Sequence, residues 1–257
     1  MGSLEASSTG TPGVALDAIR IVLVSPSHPG NVGSTARAMK TMGLSRLSLV
    51  TPRFADVLTL PDTIALSSGA ADVLESAQIF PSLGQALGDC HWAVAVTARS
   101  RDLAPLQMSP RGVAERAVTN GIGQIRTALV FGSERYGLEN QDVMQCQALC
   151  TIPTIAAYGS LNLAMAVQIM TYECRLAAIG APTPSPDNLP HDLSTEMERE
   201  QLFEHLQEAL IALEFLDSRH PTKLVAKLRR LFSRTLLEHD EVSILRGICS
   251  AILSPRR

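Results

Sequence analysis

Several features that would classify the protein at once are missing from its sequence. Its 257 residues include 22 Lys and Arg against 25 Asp and Glu, for a net charge of −3 and a pI near 6.1. This balance excludes the strongly basic class of nucleic-acid-binding proteins, although a local basic patch stays open. No apolar run is long enough to span a bilayer, so we expect no membrane association. The length and composition are those of one large globular domain, or of one domain with an appendage.

The beginning of the chain lacks the apolar core of a signal peptide. We expect residues 1–18, which are small and polar, to form a disordered tail. Cysteine is scarce and odd in number, and the five cysteines stand in apolar contexts. They predict buried thiols in a reducing compartment, hence a cytoplasmic protein. Cys146 and Cys150 have no second Cys or His pair nearby, so the sequence predicts no metal site.

The two commonest nucleotide-binding loops are also absent. No G-x-G-x-x-G follows the first apolar run, and the chain contains no G-K-S or G-K-T. These absences disfavour an ordinary nucleotide-binding α/β protein.

Apolar runs alternate with helical patterns through the first two thirds of the chain. We predict strands at 19–25, 47–51, 92–97, 127–131 and 148–153. We predict helices at 32–42, 70–76, 83–87, 112–118, 139–146 and 160–179. The alternation is typical of an α/β protein with a doubly wound parallel sheet.

The composition changes abruptly at residues 180–190, GAPTPSPDNLP, where four prolines preclude a helix or a central strand. We expect a proline-rich linker at 180–193 between a domain at 19–179 and an extension at 194–257. The extension is predicted to be small and all-helical, with helices at 194–215, 222–237 and 241–253.

Polar loops follow the predicted strands and carry the chemistry of the chain. They contain Asn31-x-Gly33-x-x-x-Arg37, Gly132-x-Glu134-x-x-Gly137-Leu138 and Ser160-Leu161-Asn162-Leu163-Ala164. In an open α/β sheet, ligands bind at the carboxyl ends of strands, where helix N-termini offer free N–H groups. The junction at 159–162 is therefore the first candidate ligand site, with Ser160 and Asn162 as caps of the long helix. A plain buried crossover helix is the alternative.

These three motifs, in this order and spacing, resemble those of the SPOUT-class RNA 2′-O-methyltransferases. The resemblance covers nearly everything after Ile19 and continues into the tail through KLRRLF at 227–232 and ILRGI at 244–248. Within the class, the chain is most similar to bacterial enzymes that methylate the ribose of nucleotide 32 in the tRNA anticodon loop. The class fold is an α/β sheet whose C-terminal part forms a deep trefoil knot. The resemblance therefore implies a homodimeric methyltransferase that uses S-adenosylmethionine and tRNA.

The resemblance also implies roles for individual residues. S-adenosylmethionine would be held mainly by backbone groups, at Val96, Thr97, Ala98, Gly132, Ile152, Gly159, Ser160 and Leu161. The catalytic set would be Arg37, Asn31, Glu134, Ser160 and Asn162. Arg37, on the first turns of its helix and facing the loop, would engage the target 2′-hydroxyl. Because a guanidinium resists deprotonation, orienting the hydroxyl or gripping the adjacent phosphate is the less costly alternative to acting as a base.

Two supporting residues have expected partners of their own. We expect Asn31 to cap the helix that carries Arg37. Glu134 would form an ion pair with Arg37 or Arg135, or would support the knot; a solvated loop acid is the alternative.

Two groups of basic residues are candidates for contacts to RNA. Arg99 and Arg101 follow the expected cofactor loop and could meet phosphates. The segment 218–237 contains no acid, and helical spacing places four of its cations on one face: Lys223, Lys227, Arg230 and Arg234. A one-sided basic stripe on an acidic protein is typical of an RNA phosphate footprint. An ordinary solvated helix face is the alternative.

Two other functions stay open at this point. The same chemistry could act on ribosomal RNA or on another tRNA position. The chain could also be an RNA-binding protein that has lost transfer, although the intact Arg37, Asn31, Ser160 and Asn162 argue against this.

Overall fold

A parallel sheet of seven strands forms the centre of the computed structural model, which describes residues 11–98, 106–155, 157, 159–180, 192–216, 222–232 and 236–254. The strands are β1 (Ile19–Val24), β2 (Arg46–Val50), β3 (Gln78–Phe80), β4 (Trp92–Val96), β5 (Leu106–Met108), β6 (Thr127–Phe131) and β7 (Ala148–Cys150). Their order across the sheet is β3-β2-β1-β6-β4-β7-β5, and every pairing is parallel. The inner strands are buried on both faces, which explains their nearly continuous apolar sequences.

Helices cover both faces of this sheet. They are α1 (Thr11–Asp17), α2 (Pro29–Met42), α3 (Pro61–Ser67), α4 (Ala71–Glu75), α5 (Leu83–Leu87), α6 (Pro110–Ile122), α7 (Asn140–Met144), α8 (Leu163–Gly180), α9 (Glu196–Ala212), α10 (Thr222–Phe232) and α11 (His239–Leu253). One core lies between the sheet and α1, α2, α4, α6 and α8, and a second lies between the sheet and α5 and α7. Among the described residues, no helix has the length and apolarity needed to cross a membrane.

The prediction of a parallel α/β sheet is confirmed, and the differences lie at the ends of elements and in short elements. The sequence pattern missed β3 and β5, which have three residues each and are mostly exposed, so they carry little apolar signal. It also missed α3. Strand β7 ends at Cys150, earlier than predicted. Helix α2 begins at Pro29 rather than Val32, because proline is well suited to the first helical position.

The expectation that residues 1–18 form a disordered tail is wrong for the part that the structure describes. Helix α1 packs on α6 and α8, with Ala15 and Leu16 fully buried. A Cβ atom on Gly121 of α6 would collide with the backbone of Ala15. The apolar stretch of α1 is too short to show periodicity within a polar sequence, so only its packing reveals it.

The first turn of α9 fixes the helical tail to the amino end of β4. Glu196 and Arg199 form an ion pair of 2.7 Å in which both side chains are only 7% exposed. The Glu196 N–H donates to the Cys90 carbonyl at 2.8 Å, and Arg199 Nη2 donates to the His91 carbonyl at 2.9 Å. Gln147, just before β7, donates to the Glu196 carboxylate at 2.8 Å. The tail is therefore anchored to the sheet through buried polar contacts.

Candidate active site

A cleft opens at the carboxyl ends of β4, β6 and β7, beside the start of α8. Its lining includes every residue predicted to hold the cofactor: Val96, Thr97, Ala98, Gly132, Ile152, Gly159, Ser160 and Leu161. They come from four separate stretches of sequence, which the parallel sheet brings to one edge. Their assignment to a cofactor stays a prediction, but their convergence on one cleft is what such a site requires.

The loop after β6 folds back over its own strand and forms one wall of this cleft. Ser133 and Gly137 form an antiparallel bridge, and the Gly137 N–H donates to the Ser133 carbonyl at 2.9 Å. A Cβ atom on Gly132 would collide with the backbone of Gly137 and Leu138, and Gly137 itself has a φ of 65°. The close turn therefore requires glycine at both positions.

Glu134 lies in this loop and reaches back to the chain after β1. Its carboxylate accepts hydrogen bonds from the Ser27 N–H at 2.9 Å and the Ser27 hydroxyl at 2.7 Å. It also accepts from the His28 N–H at 3.2 Å and from Asn31 Nδ2 at 2.8 Å. Partial burial raises the pKa of this carboxyl, but the hydrogen bonds from Asn31 and Ser27 outweigh it, so the net pKa lies below its ordinary value. The group is a carboxylate at neutral pH.

A chain of side-chain amides connects Glu134 to the N-terminus of α8. Asn31 Oδ1 accepts from Asn162 Nδ2 at 3.0 Å, and Asn162 Oδ1 accepts from the Ala164 N–H at 2.9 Å. A carboxylate can only accept, so Glu134 fixes the Asn31 NH₂ group toward itself and the Asn31 carbonyl toward Asn162. The same logic then orients the Asn162 carbonyl toward the free N–H groups of α8.

The predicted caps are thereby partly confirmed and partly wrong. Asn162 does cap α8, whereas Ser160 lies outside the helix and lines the cleft. Asn31 does not cap α2, because the N-cap position belongs to His28 and Asn31 lies within the first turn. Its amide instead connects Glu134, in the loop after β6, with Asn162, at the start of α8.

Arg37 is exposed and does not line the cleft of its own chain. It is the ninth residue of α2, six residues and about 9 Å along the axis from Asn31, and so belongs to the third turn of the helix. Within the part of the chain that the structure describes, the predicted ion pair between Glu134 and Arg37 or Arg135 is absent, and the Glu134 carboxylate accepts from the β1–α2 connection and from Asn31 in the first turn of α2.

The predicted RNA-binding residues fall partly within the structure. Lys227 is exposed on α10, and Arg230 is half-buried on the same helix. Lys223 belongs to α10, but its side chain lies outside the described part of the chain, as do residues Arg99, Arg101 and Arg234 as a whole. The footprint on α10 stays a prediction.

Sequence reasoning missed two groups of supporting residues. Ser27 and His28 hold the Glu134 carboxylate, and their only signal was their position directly after a buried strand. The pair Glu196 and Arg199 carried the signal of charges three apart on a helix, but nothing in the sequence showed that they are buried.

Comparison with known proteins places the chain in a family. Residues 18–172 match the SpoU rRNA methylase family, and residues 196–257 match the C-terminal domain of tRNA methyltransferase TrmJ. The chain is 44% identical over 242 residues to the tRNA (cytidine/uridine-2'-O-)-methyltransferase TrmJ of Photorhabdus laumondii, covering 92% of this chain and 97% of that protein. It is 43% identical over 244 residues to the TrmJ of Klebsiella pneumoniae, with the same coverage of 92% and 97%.

Solved structures give the same relation. The crystal structure of TrmJ from Z. mobilis ZM4 matches with a TM-score of 0.77 at 30% identity, over 91% of this chain and 99% of that one. A probable methyltransferase from Bordetella pertussis matches with a TM-score of 0.61 at 43% identity, over 65% of this chain and 99% of that one. On both sequence and fold, the chain belongs to the SpoU methylase family and, within it, to the TrmJ methyltransferases.

Proposed function

We propose that this protein methylates the 2′-hydroxyl of a cytidine or uridine ribose in tRNA, at nucleotide 32 of the anticodon loop. The observation that carries the proposal is that the second and third motifs line one cleft and that Asn31 of the first motif hydrogen-bonds to both of them, in a chain about 44% identical to tRNA (cytidine/uridine-2'-O-)-methyltransferases along nearly its whole length. The five cysteines, all free and buried, agree with a cytoplasmic protein that meets tRNA.

The cleft suits S-adenosylmethionine, the methyl donor of this family. When bound, the donor supplies an electrophilic methyl group on a sulfonium cation. Gly132 lets the loop after β6 turn tightly beside the cleft, and the ends of β4 and β7 offer backbone atoms around a ligand there. Glu134 also lines the cleft, and its carboxylate, held by Ser27 and Asn31, supplies a negative charge near this cationic ligand.

Asn31, Glu134 and Asn162 position the reacting groups rather than react. Their hydrogen bonds hold the loops after β1 and β6 and the start of α8 in one arrangement. Methyl transfer moves a positive charge without creating a strong anion, so alignment of the 2′-hydroxyl contributes more than charge stabilisation. Arg37 would orient that hydroxyl or hold the adjacent phosphate.

The exposed position of Arg37 leads us to include a homodimer in the proposal. Arg37 lies outside the cleft of its own chain, so it can serve the cleft of a second copy. Helix α8, which packs against α2, exposes apolar side chains at helical spacing: Met165, Tyr172, Leu176 and Ile179. An exposed apolar stripe of this kind suits contact with another subunit.

We also propose that the chain is knotted at its cleft. Strand β7, the last strand in chain order, lies between β4 and β5 rather than at an edge of the sheet. The segment that follows it then lines the cleft before α8 crosses to the face occupied by α2 and α6. Such an insertion is the arrangement in which a late segment can thread through an earlier loop.

The proposal is tested by methyl transfer from labelled S-adenosylmethionine to an unmodified tRNA transcript, followed by mapping of ribose methylation. Label at nucleotide 32 that disappears in Arg37→Ala supports the substrate and the role of Arg37. Arg46→Ala is the matched control. Arg46 is an exposed arginine at the amino end of β2, whereas the cleft opens at the carboxyl edge of the sheet. Label on ribosomal RNA alone, or binding of S-adenosylmethionine without transfer to any RNA, would contradict the proposal.

A further inference from the structure

A second cleft lies on the other side of the loop after β6, and the proposed mechanism leaves it without a role. It is bordered by the carboxyl ends of β1 and β2, the start of α5, helix α7 and the tail helix α10, and encloses about 890 Å³. This volume is within the usual range of ligand sites. Ser133 and Gly137 line both clefts, so one thin loop separates the second cleft from the first.

The path of the tail explains why the second cleft exists. Helix α9 starts at the amino end of β4 and packs along α5. Its 17 residues, about 25 Å in length, carry the chain toward the carboxyl edge of the sheet, where α10 contacts α7. The tail therefore closes one side of a cleft whose other side belongs to the methyltransferase domain.

The lining of the second cleft mixes apolar and polar side chains and does not carry surplus positive charge. Its neutral polar groups are the hydroxyls and amides of Ser25, Thr51, Ser82, Gln141, Gln145 and Gln207, and Glu139, Asp142 and Glu200 add carboxyl groups. Of the described lining residues, Arg229 is the only cation, and it is held by Glu200 through two contacts of 2.6 Å. Such a lining attracts phosphate poorly and suits an uncharged group with hydrogen-bonding edges.

An aromatic side chain stands on the loop between the two clefts. Tyr136 is 70% exposed, and its N–H donates to the Ser133 hydroxyl at 3.2 Å, which holds the turn. An exposed aromatic ring beside amide groups is the usual surface on which proteins stack and recognise unpaired bases.

The wall opposite this ring contains strained backbone. Ser25 and Thr51 end β1 and β2 with φ angles of 49° and 42°, and their hydroxyls are 3.1 Å apart. A β-branched residue rarely adopts positive φ, and such conformations concentrate at functional sites. The strain places two hydroxyls side by side within the cleft.

We propose that the second cleft binds an unpaired nucleobase that flanks the methylated nucleotide, with Tyr136 as its stacking surface. The proposal rests on the proposed function, because it requires a single-stranded RNA loop to lie across both clefts. Lys227, exposed on α10, is then placed to meet the phosphates of that strand outside the cleft.

The test compares four variants by their KM for unmodified tRNA, their kcat and their affinity for S-adenosylmethionine. Tyr136→Ala should raise the KM for tRNA about tenfold, which corresponds to about 1.4 kcal/mol, while Tyr136→Phe keeps the stacking surface and stays near wild type. Gly84→Leu places a side chain into the cleft and should raise the KM similarly, since a Cβ on Gly84 meets only Gln145 at 3.5 Å. Affinity for S-adenosylmethionine should stay unchanged in all of them.

Gly247→Leu is the matched control, because Gly247 is also helical and a Cβ there meets nothing within 4 Å. A wild-type KM in both Tyr136→Ala and Gly84→Leu would overturn the inference, as would an equal loss of affinity for S-adenosylmethionine. If Tyr136→Ala fails to fold, Gly84→Leu decides the question. If the wild-type protein transfers no methyl group to tRNA, the proposed function fails. In that case the second cleft is tested by tRNA binding alone, and unchanged binding by Gly84→Leu in a filter assay would overturn the inference.

Discussion

Replacing Glu134 by glutamine should reverse the whole chain of amides that leads to α8. Unlike the carboxylate, the glutamine side chain has only one accepting oxygen. We expect that oxygen to keep accepting from the Ser27 N–H and hydroxyl, so the NH₂ group of the glutamine faces Asn31. Asn31 must then turn its carbonyl to the new glutamine and its NH₂ group to Asn162. Asn162 in turn presents its NH₂ group to the N–H groups of α8, where donor meets donor. A single change at the loop after β6 thus removes the cap of a helix in another motif.

The magnitude follows from the hydrogen bonds that are lost. Loss of a hydrogen bond to a charged group costs about 1.5–3 kcal/mol, and we take the lower end because Glu134 is only half-buried. Loss of a helix cap adds about 1 kcal/mol. The sum of about 2.5 kcal/mol corresponds to a fall in Tm of about 5–10 °C for a chain of this size. Because the loops move, kcat for methyl transfer should fall about tenfold or more.

A compensating change provides the sharpest test. Asn162→Asp alone sets a carboxylate against the Asn31 carbonyl and should destabilise the protein. In the double variant Glu134→Gln with Asn162→Asp, the reversed Asn31 donates to the new aspartate, whose other carboxylate oxygen caps α8. Thermal melts followed by circular dichroism should therefore show recovery in the double variant. A double variant as unstable as Glu134→Gln, or more so, would refute the amide chain.

The pH dependence of stability gives an independent check. The pKa of Glu134 is lower in the folded protein than its ordinary value, so the folded state is stabilised above that ordinary range and loses this stability as the pH falls. Glu134→Gln has no carboxylate to protonate, so it does not lose this stability at low pH. The difference in Tm between the wild-type protein and Glu134→Gln should therefore shrink below about pH 4.5. Glu75→Gln, at an exposed position, should show no deficit at either pH.

Three further predictions concern the cleft, the tail anchor and the basic helix face. Gly132→Ala should abolish S-adenosylmethionine binding in calorimetry, because its Cβ displaces the loop that walls the cleft, and wild-type affinity would contradict this. Arg199→Leu should cost about 3–5 kcal/mol in urea unfolding by leaving Glu196 buried without its partner. Burial already raises the pKa of Glu196, so the stability lost in Arg199→Leu should be larger at pH 8 than at pH 5. Replacing both Glu196 and Arg199 by leucine should restore most of the stability. Lys227→Glu combined with Arg230→Glu should weaken tRNA binding in a filter assay without changing affinity for S-adenosylmethionine; unchanged tRNA affinity would remove α10 from the footprint.

The class of fold, and the junction at 159–162 as a candidate ligand site, could be predicted from the pattern of amino acids alone. Apolar runs such as those of β1 and β6 are buried on both faces, and burial on both faces leaves a continuous pattern that can be recognised without coordinates. The residues expected to hold the cofactor were named from the resemblance of the motifs to a known family, and their convergence agrees with parallel strands that end at one edge of the sheet. The cap of α8 at Asn162 followed from local rules alone.

The partners of these residues, in contrast, depend on how the elements pack in three dimensions. Asn31 and Asn162 are 131 positions apart, and Ser27 and Glu134 are 107 apart, so no local pattern could pair them. The same holds for Arg37, whose helical position was evident but whose distance from its own cleft depends on how α2 packs. The second cleft is bordered by segments far apart in sequence, from the ends of β1 and β2 to α10 in the tail, which only the packing of the tail on the sheet brings together. Contacts between distant segments depend on the packing of whole elements, which sequence periodicity does not encode.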